Sequence, residues 1–148
     1  MKTVFSLCLL LVTSFSVAQK STYKGFPSLV WPKLYNIEFQ KEKDFDKPIF
    51  SKDTKLLANK IISLPGYMVP FENGMKGSHF MLTSLPLSAC FFCGVGGPET
   101  IVEVYLTKPI SYTDKPIEVK GKLILNDKNP DKMIYILENA EMMGEIDF

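Results

Sequence analysis

Apolar and polar residues alternate along much of this chain, and glycine, proline and asparagine break the alternation at short intervals. That pattern predicts strands, because successive side chains on a strand point to opposite faces. Thr100 to Thr107 shows it most plainly: Val102, Val104 and Leu106 share one face, with Glu103 and Tyr105 on the other. Leu34–Gln40, Ile61–Val69, Ser78–Ser84, Glu118–Leu125 and Met133–Leu137 are the other predicted strands. Pro65-Gly66 predicts a bend within its strand, and Glu72-Asn73-Gly74 and Asn126–Asp131 predict turns. Ser51 is placed to cap a short helix over Lys52–Leu57. Residues 20–33, with Gly25, Pro27 and Pro32, predict an extended lead-in pinned by Phe26 and Trp31. About five strands with one or two short helices at most predict a mainly β domain, a small OB-like barrel with an N-terminal extension.

The first residues follow a different rule. Lys2 precedes an apolar run, Val4 to Val17, and Ser16-Val17-Ala18 is a small-x-small cleavage site. Residues 1–18 therefore read as a signal peptide, and 19–148 as one domain. The run is too short for a comfortable membrane span, which needs about 20 apolar residues, and no later stretch approaches that length. The expectation is an exported protein, periplasmic or secreted, with no transmembrane segment in the mature chain.

Charge narrows the partners. The formal net charge is +1, and every basic residue is lysine. Neither a basic patch nor the forked guanidinium contacts of nucleic-acid binders are present, so a nucleic-acid partner is disfavoured. Gly-x-Ser-x-Gly, a phosphate-binding glycine loop and His-Glu-x-x-His are all absent from the sequence. Glu99, Glu103 and Glu118 show no pairing for acid–base work and read as solvated strand faces. A non-enzymatic protein is expected.

The chemistry concentrates in one place. Of 3 cysteines, Cys8 falls in the signal, leaving Cys90 and Cys93 in Ala-Cys-Phe-Phe-Cys-Gly. Gly94, Gly96 and Gly97 allow the backbone to fold tightly there. Three readings stay open. A Cys90–Cys93 disulfide would staple a very short loop, adding little chain-entropy stabilisation while presenting Phe91 and Phe92 to a partner. Two thiolates at this spacing are half of a tetrahedral zinc site or most of a copper(I) site; His79 and Glu99 are the candidate co-ligands, with Met75 and Met81 as soft alternatives. Thiol–disulfide exchange is the third, disfavoured because the glycines and Pro98 make a poor helix start beside the cysteines.

Asp46-Lys47-Pro48-Ile49-Phe50-Ser51, Leu64-Pro65-Gly66-Tyr67-Met68-Val69-Pro70-Phe71, and Ala89-Cys90-Phe91-Phe92-Cys93-Gly94 followed by Gly97-Pro98-Glu99 stand in order along the chain. Together they resemble the DUF3299 family of uncharacterised bacterial envelope proteins, in its Bacteroidetes-type variant. The likeness runs from about Trp31 to Glu141. Relatives elsewhere carry Ala-Cys-x-His in this loop, so Phe92 stands where they have histidine. The resemblance implies that a transition metal suits both branches, whereas only the Cys-plus-Cys branch can close a disulfide. Relatives encoded beside transporter components imply an envelope protein or transporter component as partner.

Overall fold

The computed structural model describes residues 28–43, 45–71, 76–86 and 96–147. The signal peptide, Cys90, Phe91, Phe92, Cys93 and Met75 lie outside the described residues.

Five antiparallel and parallel pairings close a barrel. With α1 at Trp31–Leu34, β1 at Ile37–Lys41, β2 at Asp46–Phe50 and α2 at Lys52–Leu57, the barrel strands are β3 (Ile61–Pro70), β4 (Lys76–Thr83), β5 (Ile101–Ser111), β6 (Ile117–Leu125) and β7 (Tyr135–Glu145). They run round the barrel as β3-β4-β5-β7-β6, and β6 pairs back with β3. Only β5 and β7 are parallel. Counted within the barrel, the order is 1-2-3-5-4-1, a five-stranded Greek-key closure of the OB type. β1 and β2 form a separate two-stranded hairpin.

The inward residues make one core. Leu64, Met68, Phe80, Leu82, Val102, Val104, Val119, Leu123 and Leu137 are all buried in it, together with Trp31 and Leu34 of α1. β3 serves two neighbours: Ile61–Gly66 pair with β6, and Tyr67–Pro70 with β4. The changeover falls at Pro65-Gly66. Gly66 is required there, since an added Cβ would sit 2.7 Å from both Leu82 Cγ and the Thr83 carbonyl. The predicted bend is thus a barrel corner.

Two predicted boundaries are corrected. The lead-in is helical over Trp31–Leu34, and the following strand starts at Ile37. Ser28 Oγ accepts from the N–H groups of Val30 and Trp31, and Pro32 suits the first helical turn. Trp31 Nε1–H donates to the Pro65 carbonyl at 2.7 Å, which fixes the turn to the barrel corner. The last strand extends past Leu137 to Glu145. A register shift opposite Lys120–Lys122 and Asn139 at φ 49° absorb the polar pair Glu138-Asn139, so that Ala140 returns to the core. The helix at Lys52–Leu57 forms as predicted, with Ser51 Oγ accepting from Thr54 N–H at 3.1 Å.

Candidate functional site

Two places on the barrel wall carry polar chemistry, one at the Thr83–Ile101 end of the β4–β5 ladder and one at mid-ladder, where His79 pairs with Tyr105. The first is a neck. Residues 87–95 connect Pro86 to Gly96, and the described chain on either side is drawn together. Ser84 N–H donates to the Thr100 carbonyl at 3.0 Å, extending the ladder one step beyond Thr83–Ile101. Ser84 Oγ donates to the same carbonyl at 3.3 Å, and Thr100 Oγ1 donates to the Gly97 carbonyl at 2.7 Å. Thr83, Ser84, Leu85 and Thr100 are all buried. A Cβ at Gly96 would lie 2.7 Å from Thr100 Oγ1 and 2.9 Å from Leu85 Cδ1, so a larger residue there forces those buried side chains to shift.

Glu99 stands at this neck in a short 3-10 turn, Pro98–Thr100. Its carboxylate folds back over Gly97, where a Cβ would overlap it. Glu99 has no ion-pair partner among the described residues. Its charge reaches two phenols. Burial, followed by that charge, pushes the Tyr135 hydroxyl well above its ordinary range. Burial and Glu99 raise Tyr35 as well, against a hydrogen bond with Ser84. Tyr135 OH donates to the Leu34 carbonyl at 2.7 Å, so α1 is stitched to the same end of the barrel. A cleft of about 380 Å³, lined by Phe39, Phe45, Pro48, Pro98 and Ile134 among others, opens beside the neck.

The second place was not foreseen from the sequence. Glu103, expected on a solvated face, is only 5% exposed. Its Oε1 accepts from His79 Nε2 at 2.9 Å and from Tyr105 OH at 2.6 Å, while Oε2 accepts from Met133 N–H at 3.1 Å. Burial alone would push this carboxyl up. The hydrogen bonds from Tyr105, His79 and Met133 together outweigh it and hold Glu103 below its usual value. Tyr105, whose hydroxyl proton is committed to Glu103, is pushed up to about 12. The His79 ring lies between Phe71 and Tyr105, with centroids 4.4 and 4.3 Å away, and Lys132 Nζ stands 5.1 Å from the Tyr105 centroid.

The structure does not bring His79 and Glu99 together. His79 pairs with Tyr105 and Thr83 with Ile101, four positions apart, which is roughly 14 Å along a strand at 3.4 Å per residue. Glu99 lies two residues further still. Among the described residues no three His, Cys, Asp or Glu side chains gather as a metal site. Met81 is half-buried on β4 between these two places.

Against known proteins, no family model matches the chain, and no curated protein does. Among solved structures it is similar to the crystal structure of a DUF3299 family protein from Pseudomonas aeruginosa PAO1, at 20% identity over 68% of each chain with a TM-score of 0.49. That is the family its motifs resemble. No helix among the described residues is long and apolar enough to cross a membrane.

Proposed function

We propose that this chain is an exported, non-enzymatic accessory protein of the bacterial envelope that holds zinc or copper through Cys90 and Cys93. Export rests on the Lys2, Val4–Val17 and Ala18 pattern. The observation that carries the metal reading is the neck. Hydrogen bonds between Ser84 and Thr100 anchor both ends of the cysteine-bearing segment to a rigid barrel rim. The Glu99 carboxylate, free of any ion pair among the described residues, stands at its base. Two thiolates and one carboxylate suit zinc with an open fourth position, and the thiolates alone suit copper(I). His79 lies four positions along the ladder from Thr83 and is left out of this ligand set.

The partner in this reading is an envelope protein or transporter component that gives or receives the ion. Anaerobic titration with zinc or copper(I), in competition with a chromophoric chelator, tests it. One equivalent should bind. Cys90→Ser should abolish binding, and Glu99→Gln should weaken zinc by about tenfold while leaving copper(I) unchanged. Equal affinity in the Cys90→Ser protein would end the metal reading. A disulfide that resists reduction, with no metal taken up, would favour the stapled interaction module that displays Phe91 and Phe92.

A further inference from the structure

The Glu103 network fixes the direction of one hydrogen-bond acceptor. The Glu103 carboxylate accepts, so the hydrogen of its bond to His79 lies on Nε2, and a ring with that one hydrogen leaves Nδ1 unprotonated. Nδ1 is then a lone-pair acceptor on the opposite side of the ring, with no partner among the described residues. The ring is clamped between Phe71 and Tyr105, and the imidazole is still 41% exposed. An imidazole this tightly oriented and yet open is poorly explained as a packing residue.

Beside it lies a pocket of about 280 Å³ lined by Met68, Pro70, Phe71, Lys76, Ser78 and His79. Lys76 has no ion-pair partner among the described residues. The lining therefore combines an imidazole, a lysine ammonium without an ion pair among the described residues, a hydroxyl and an apolar ring face. Each feature selects a complementary group: a hydroxyl hydrogen for Nδ1, one negative charge for Lys76, and a flat carbon-rich face for Phe71 and Pro70. The volume admits one six-membered ring with its substituents and little more.

We propose that this pocket binds a small hydroxylated ring bearing a single carboxylate. Its hydroxyl donates to His79 Nδ1, its carboxylate pairs with Lys76, and its apolar face lies on Phe71. Sugar acids and hydroxylated aromatic acids share this chemistry. The site lies where the end of the first barrel strand, β3, meets the start of the second, β4. It does not depend on metal at Cys90 and Cys93.

The test is a titration of isotope-labelled protein followed by backbone and histidine resonances, with galacturonate, galactose, 4-hydroxybenzoate and benzoate as probes. The free protein should show the Nε2–H tautomer of His79. At least one of the two hydroxy acids should shift Phe71 and Lys76–His79 saturably, and which one does so identifies the source. Galactose and benzoate, each lacking one recognised group, should bind at least about tenfold more weakly, the worth of one lost polar contact. His79→Gln and Lys76→Gln should each weaken the hydroxy acid by a similar factor, with the rest of the spectrum unchanged. The proposal is overturned if neither acid binds at tens of millimolar, if the shifts lie elsewhere, or if both variants bind as the parent does.

Discussion

The neck and the middle of the β4–β5 ladder use polar groups in opposite ways. Beside His79 a buried carboxylate is saturated by three donors, so its charge is spent on holding side chains and the Met133 loop in place. At the neck, backbone bonds and small residues hold the chain, and the Glu99 carboxylate stays free of ion pairs among the described residues. A saturated carboxylate is architecture. An unpaired one is available for binding. The contrast teaches that the sign of a charge says less about its role than the number of donors aimed at it.

Removing the two carboxylates should separate the two places most sharply. Glu103→Ala strands the Tyr105 hydroxyl and Met133 N–H and should cost about 3 kcal/mol in urea unfolding. Glu99→Ala should cost less than about 0.5 kcal/mol, as partly exposed substitutions usually do. Equal losses would erase the distinction. Glycine gives the next largest contrast. Gly96→Ala at the neck forces a Cβ against Thr100 and Leu85 and should cost about 2 kcal/mol. Gly77→Ala near His79 meets nothing closer than the His79 carbonyl at 3.9 Å, and should be neutral or slightly stabilising in the same assay.

Tyr105→Phe should cost about 1.5 kcal/mol by removing a hydrogen bond to a charged acceptor. It should also move the Glu103 titration towards its ordinary value, visible in carboxyl resonances. The smallest effect is in pH. Glu103 is lowered on folding, so its contribution is fully present above its unfolded value of 4.5 and fades as pH falls through the lower folded value. The stability gap between the parent and Glu103→Gln should therefore be constant near neutrality and narrow in acid. A gap that widens in acid would reverse the sign assigned here.

How much of this was legible in the sequence depended on distance along the chain. Ser51 and the helix it caps are three residues apart, and the alternation of Thr100–Thr107 is strictly local, so both were readable. The Trp31–Leu34 turn was not. It is held by Pro65, 34 residues from Trp31, and by Tyr135, 101 residues from Leu34. Glu103 misled for the same reason: a charge at an outward strand position reads as solvated until a loop 30 residues away covers it with Met133. The company of the lone histidine was not legible either, because sequence shows residue type and spacing while the β4–β5 register sets His79 opposite Tyr105 and four positions from Thr83. The bulge at Asn139 left no alternation to follow, which cut the last strand short.

The central claim concerns Cys90 and Cys93, and native mass spectrometry of protein purified without oxygen tests it most directly. The account predicts one zinc or copper ion per chain, absent when both cysteines are replaced by serine. A metal-free chain that gains two daltons on reduction, or a double-serine protein that keeps its metal, would contradict it.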